Sequence, residues 1–156
     1  MKKQLLILLI GSLVTFMGCK EDDEPLTFAE QLNVDIGILD DYLAENNITA
    51  QEDPSGLRYV INEPGTGATP ELSSTITAAY EGTFLDGAVF DASESLTFPL
   101  QNLIPGWQIG LPLIQEGGDI TLYIPSGLAY GAQGIPGFIP GNANLIFTVE
   151  LLEVAN

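Results

Sequence analysis

Histidine is absent from the 156-residue chain, cysteine occurs once, and lysine and arginine together number four. Without histidine there is no Ser-His pair and no imidazole ligand for zinc, and one thiol cannot close an intramolecular disulfide. Four cations against 21 carboxylates give a formal charge of −17. Phosphate recognition needs clustered lysine and arginine, so nucleic acid is not an expected partner, and the acid excess reads as a solvated surface. No metal or cofactor is expected. Many acids could in principle supply a carboxylate pair for glycoside hydrolysis, but nothing in their spacing singles out two.

What is present is apolar and rich in rings. With 46% hydrophobic residues, seven Phe, five Tyr and one Trp, the chain can fill one core. The 17 Gly and 10 Pro point to many turns and short strands, with loops that carry the site. Tyr80, Phe90, Phe98, Trp107, Tyr123, Tyr130, Phe138 and Phe147 all fall between positions 80 and 147. Rings without nucleophiles or metal ligands suggest a site that works by shape and by excluding water.

Met1-Lys2-Lys3 followed by Leu5-Leu6-Ile7-Leu8-Leu9-Ile10 has the basic start and short apolar run of a secretory signal, too short to span a bilayer. Phe16-Met17-Gly18-Cys19 resembles a bacterial lipobox, although Phe16 replaces the usual aliphatic residue. The resemblance implies that Cys19 is acylated and becomes the first residue of a membrane-tethered protein. Cleavage after residue 18 removes Lys2 and Lys3 but no acid, leaving −19. Lys20-Glu21-Asp22-Asp23-Glu24-Pro25 resembles the acidic tags that send some Gram-negative lipoproteins to the cell surface; it reads equally well as a solvated spacer. The expected organisation is a signal over 1–18, a lipidated acidic linker over 19–33, an amphipathic helix and connector over 34–54, and a domain over 55–156. The expected location is the outer membrane, on its periplasmic or cell-surface face.

Val34, Ile36, Leu39, Leu43 and Tyr42 fall near a 3.6-residue period, which predicts a helix that stops near Glu45 before Asn46-Asn47. About three turns suffice to pack on the domain, so a monomer is expected. Leu57-Arg58-Tyr59-Val60-Ile61, the residues 74–80, 119–124 and 145–154 read as strands of an antiparallel sheet. In the last of them Leu145, Phe147, Val149 and Leu151 share one face. Leu85-Asp86-Gly87-Ala88 is a tight-turn signal.

Seven blocks then follow one another in order: Ala79-Tyr80-Glu81-Gly82, Gly87-Ala88-Val89-Phe90-Asp91, Ile104-Pro105-Gly106-Trp107, Gly117-Gly118, Ile124-Pro125, Leu128-Ala129-Tyr130-Gly131, and Ile139-Pro140-Gly141-Asn142-Ala143-Asn144-Leu145-Ile146-Phe147. Together they resemble an FKBP-type peptidyl-prolyl cis-trans isomerase domain. The resemblance implies an α+β fold in which an antiparallel half-barrel curls around one short helix near 103–114. Pro112 should end that helix near Gly110. By residue-by-residue matching it also implies a catalytic set of Tyr80, Asp91, Trp107 and Tyr130. Phe90, Phe98, Leu103, Ile104, Phe138, Ile139 and Phe147 are the implied substrate-binding walls.

Many small relatives pair the aspartate with a nearby arginine, but 92–97 contains none and reads as a shorter link, leaving Asp91 more exposed or held by Ser93 or Ser95. A loop over 126–144 should overhang the pocket, with Ile135 and Phe138 making its rim apolar. The implied function is isomerisation of prolyl bonds in unfolded or partly folded polypeptides outside the cytoplasm. A non-catalytic peptide-binding or chaperone module on the same fold is the alternative.

Overall fold

Alternation along the strands decides which side residues are buried. The computed structural model describes residues 25–156, in the order α1 (Phe28–Glu45), β1 (Gln51–Glu52), β2 (Arg58–Glu63), β3 (Thr75–Phe84), β4 (Val89–Pro99), α2 (Pro105–Gly110), β5 (Asp119–Ile124) and β6 (Leu145–Ala155). All neighbouring strands are antiparallel, in the spatial order β1-β2-β5-β6-β3-β4. Ile120, Leu122 and Ile124 of β5 and Leu145, Phe147, Val149 and Leu151 of β6 enter one core with Trp107. The intervening Tyr123 and Ile146 enter a second cluster with Leu39 and Leu43 of α1. The period of two therefore gives the sheet two apolar faces, one on α2 and one on α1.

Register breaks bend the long strands. β3 slips against β4 between Ala78 and Tyr80 and between Gly82 and Thr83, and against β6 between Thr77 and Ala78. Such irregularities increase local twist and curl a sheet around its contents. The contents here are α2, which Pro105 starts at a position where its missing N–H costs nothing. The α-helix ends at Gly110, and Leu111–Leu113, with Pro112 inside it, continues as one 3-10 turn. Phe84-Leu85-Asp86-Gly87-Ala88 closes the β3–β4 hairpin, with Phe84 N–H donating to Ala88 C=O at 3.0 Å and Gly87 at φ 83°.

Two sequence expectations need correction. Residues 28–33, assigned to the linker, form the first turns of α1: Thr27 and Glu30 make a reciprocal capping box, in which Glu30 N–H donates to Thr27 Oγ1 and Thr27 N–H to Glu30 Oε2. The buried stripe of α1 is accordingly Asp35, Leu39 and Leu43, and Val34 faces solvent. The supposed link 92–97 is part of β4, an edge strand whose Thr97 pairs with Thr77. Its Ala, Ser and Glu residues have weak strand propensity, but β3 offers a full backbone ladder that overrides it. Among the described residues no helix is long and apolar enough to cross a membrane.

Candidate active site

Between α2 and the curled sheet lies a cleft of about 180 Å³ lined by Tyr80, Asp91, Phe98, Leu103, Ile104, Trp107, Tyr130 and Phe147. They arrive from well-separated parts of the chain. β3 carries Tyr80, β4 carries Asp91 and Phe98, the turn into α2 carries Leu103 and Ile104, α2 carries Trp107, β6 carries Phe147, and the loop 126–144 carries Tyr130.

The floor is Trp107, 3% exposed. Its ring meets Tyr80 edge-on at 5.3 Å and 86°, and Phe147 at 5.4 Å and 88°. Edge-to-face contacts of this kind hold rings in fixed orientation and add about 0.5–1.5 kcal/mol each beyond area burial. Among the described residues the indole Nε1 is a buried side-chain polar atom without a hydrogen-bond partner. Gly82 makes this packing possible, since a Cβ there would stand 2.7 Å from Phe90 and 2.8 Å from Phe147.

Two polar groups face each other at the rim. Tyr80 Oη donates to Asp91 Oδ2 at 2.8 Å. Asp91 is exposed, and the side chain that bonds to it is this phenol, not Ser93 or Ser95; Ser93 Oγ instead accepts from Ser95 N–H. Desolvation first, and then the hydrogen bond to Asp91, push the Tyr80 phenol up to about 12. Burial, with Asp91 nearby, raises Tyr130 as well.

Both hydroxyls thus keep their protons well beyond neutral pH. Any property of the cleft that depends on these two protons is expected to be flat from about pH 6 to 9, with no histidine to titrate. Unfolded tyrosine ionises near pH 10, so the stabilisation from Tyr80 is complete below that value and falls as pH rises towards 12. Denaturant midpoints followed through this window should drop in the wild type and drop less in Tyr80→Phe.

Three of the expected wall residues lie elsewhere. Phe90 sits behind the wall, edge-on to Phe147 at 5.5 Å and against Phe84 at 5.1 Å. Ile139 is 5% exposed and belongs to the core beneath the loop. Phe138 is 75% exposed at the tip of a small hairpin, where Ile135 and Ile139 exchange backbone hydrogen bonds at 2.8 Å. Phe138 borders two shallow surface grooves and not the cleft. Backbone closure between 135 and 139 turns alternate side chains in opposite directions, which residue matching alone does not reveal. Tyr123, left unassigned by the sequence, packs beneath α1 at 6.2 Å from Tyr42.

Sequence reasoning missed one cluster next to the site. Asp35 of α1 is fully buried and bonded to Ser126, which adjoins Asn144, at the two ends of the overhanging loop. The signal was available, because Asp35 shares the spacing of Leu39 and Leu43. Among the described residues no group of three or more His, Cys, Asp or Glu side chains could hold a metal ion. Cys19 and the signal lie outside the described residues.

Known proteins share this arrangement. A family model described as FKBP-type peptidyl-prolyl cis-trans isomerase matches residues 67–152. FKBP-type peptidyl-prolyl cis-trans isomerase FkpA of Escherichia coli K12 is 49% identical over 104 residues, which is 64% of this chain and 38% of that protein. Outer membrane protein MIP of Legionella longbeachae is 43% identical over 105 residues, 65% of this chain and 45% of that one. The chain thus spans less than half the length of these curated relatives. Among solved structures, FkpA from Escherichia coli superposes with a TM-score of 0.71 at 39% identity, covering 81% of this chain and 62% of that one. A peptidyl-prolyl cis-trans isomerase from Pseudomonas syringae superposes at 0.70 with 28% identity, covering 85% and 99% respectively.

Proposed function

Because this chain belongs to the FKBP-type peptidyl-prolyl cis-trans isomerase family, we propose that its cleft catalyses rotation about prolyl bonds in unfolded or partly folded polypeptides. The observation that carries this reading is the cleft itself: an apolar, indole-floored space with only Tyr80, Asp91 and Tyr130 offering polar side chains.

Rotation of an X–Pro amide is opposed by about 18–20 kcal/mol because it breaks C–N conjugation, and it takes tens to hundreds of seconds unaided. No covalent bond is made. As the amide twists, its carbonyl loses charge-separated character and becomes less polar. A dry, ring-lined cleft disfavours the planar, more polar ground state relative to the twisted one, and binding that prefers the twist accelerates the reaction by tenfold for every 1.4 kcal/mol or so. Trp107, Phe98, Leu103, Ile104 and Phe147 hold the proline ring. Tyr130 donates a hydrogen bond to a carbonyl of the bound peptide. Asp91, fixed by Tyr80, stands beside the twisting amide.

Exchange between cis and trans forms of a proline peptide tests the reading. The wild type should accelerate it, and Tyr130→Phe, which keeps the ring and removes one donor, should lower kcat/KM by about tenfold, the worth of one hydrogen bond of roughly 1.5 kcal/mol. Peptide binding without acceleration in the wild type would instead make the domain a non-catalytic peptide-binding module.

Ile135 and the exposed Phe138 lie in a surface groove outside the cleft and do not form its rim. A peptide with leucine before proline should turn over faster than one with glutamate, whose charge meets an apolar cleft wall and an acidic protein; equal turnover would remove that wall from the account. The tether completes the reading. Acylation at Cys19 would hold the domain at a membrane outside the cytoplasm, and mass spectrometry of the protein from cell membranes would find the lipid on that residue.

A further inference from the structure

The loop 126–144 has its base clipped to a helix that takes no other part in the cleft. Asp35 of α1 is 0% exposed, Ser126 1% and Asn144 7%. Asp35 Oδ2 accepts from Ser126 N–H at 2.9 Å and from Ser126 Oγ at 2.6 Å, while Asp35 Oδ1 accepts from Gln31 Nε2 at 2.8 Å. Ser126 N–H also donates to Asn144 Oδ1 at 3.1 Å, and Asn144 Nδ2 donates to the backbone carbonyl of Asp35 at 3.4 Å. The β5–β6 ladder ends at Ile124 and Leu145. Residues 126 and 144 therefore lie two positions after and one position before the ends of that ladder, and one residue of α1 bonds to both, to Ser126 by its carboxylate and to Asn144 by its main-chain carbonyl.

Burying a carboxylate carries a desolvation cost that apolar side chains at the same position would avoid. Leu39 and Leu43 already anchor α1 to the sheet. Asp35 therefore adds direction rather than adhesion: its carboxylate fixes where the loop leaves β5, while its main-chain carbonyl accepts from Asn144 where the loop returns to β6. Between those points the loop carries Tyr130, and its halves are tied again where Asn142 N–H donates to Gly131 C=O at 2.9 Å. Phe28 adds a third contact with the loop, since a Cβ on Gly127 would stand 2.6 Å from its ring.

We propose that Asp35 is a positioning residue for the cleft, its carboxylate acting through Ser126, whose N–H Asn144 shares, to hold the 126–144 loop and thereby Tyr130 over the bound peptide. This rests on the isomerase reading for its kinetic consequence but not for its structural one. Misplacement of a positioned group by about 1 Å can cost on the order of a hundredfold in rate; an unclipped loop that still samples the correct position should lose less.

The test compares Asp35→Ala, Asp35→Asn, Ser126→Ala and Leu39→Ala in the full chain, at a temperature where each is folded by circular dichroism. Asp35→Ala should raise amide exchange between 127 and 143 by about tenfold while β3 and β6 stay protected, and should raise KM for a proline peptide by a similar factor with little change in kcat. Asn keeps an acceptor oxygen towards Ser126 and should restore most of both. Leu39→Ala leaves a cavity under the same helix without touching the clip, and should lower stability while leaving loop exchange and KM near wild type.

Equal effects of Asp35→Ala and Leu39→Ala would overturn the proposal, as would unchanged loop exchange in Asp35→Ala. Should Asp35→Ala not fold, Ser126→Ala decides, because losing one hydroxyl should still raise loop exchange and KM about threefold, and no change in either overturns it. A wild type without isomerase activity would refute the functional reading alone, since exchange still reports on the clip.

Discussion

Trp107→Ala is expected to lower kcat/KM for a prolyl peptide by about a hundredfold, equivalent to about 2.7 kcal/mol of lost transition-state stabilisation. The indole is the floor of the cleft and the common neighbour of Tyr80 and Phe147. Removing it does two things. It opens space beneath the proline ring into which water can enter, so the planar amide regains the solvation that the cleft withholds. It also leaves Tyr80 and Phe147 without the edge contact that orients them, and with Tyr80 goes the hydrogen bond to Asp91. The same substitution should lower folding stability by about 3–5 kcal/mol, the usual cost of truncating a buried large aromatic. Circular dichroism on the assayed sample separates the two effects, because a folded variant with wild-type turnover would show that the floor does not supply the acceleration.

Gly110→Ala should destabilise the protein by about 1–3 kcal/mol although it improves helix propensity. Propensity alone would favour alanine by about 1 kcal/mol, so the sign of the change identifies the controlling effect. α2 lies directly on β5: a Cβ at Gly110 would stand 2.5 Å from Leu122 Cδ2, and one at Gly106 would stand 2.6 Å from Ile124 Cγ2. Leu122 and Ile124 are both 0% exposed and have no space to yield into. A methyl group must therefore lift α2 off the sheet and carry Trp107 with it, so isomerase activity should fall along with the urea midpoint. Stabilisation by Gly110→Ala would mean that the helix is not held at closest approach.

These two glycines illustrate how unevenly the molecule can be read from its sequence. Alternation in 119–124 and 145–154 located the central strands because a period of two and two buried faces leave a plain apolar trace. Residue-by-residue matching to the family located Tyr80, Asp91, Phe98, Leu103, Ile104, Trp107, Tyr130 and Phe147, all of which line one cleft. β4 was missed because an edge strand half open to solvent can be written in Ala, Ser and Glu, with its pairing determined by β3 rather than by its own propensity. The start of α1 was missed because its first turns carry few buried side chains and are defined by a capping box. Phe138 and Ile139 match wall positions, yet the hairpin closed between Ile135 and Ile139 sends one of these neighbours into solvent and the other into the core.

Asp35 was the least legible of all. Acidic residues normally mark the solvated face of a helix, and here one stands on the buried stripe because its partners, Ser126 and Asn144, come from a loop about a hundred residues away. The helical period places Asp35 on the buried stripe, but it does not name partners in so distant a loop. It also shows that α1 is part of the domain's packing and not only a connector to the acidic segment before it.

The most direct measurement is two-dimensional exchange spectroscopy on a short Leu-Pro peptide with a catalytic amount of the full chain. Cross-peaks between the cis and trans resonances should grow on a timescale far shorter than the tens of seconds of uncatalysed exchange, and should fade when Trp107→Ala replaces the wild type. Peptide resonances that shift on binding while the two isomers still interconvert at the solvent rate would contradict a cleft that favours the rotated amide.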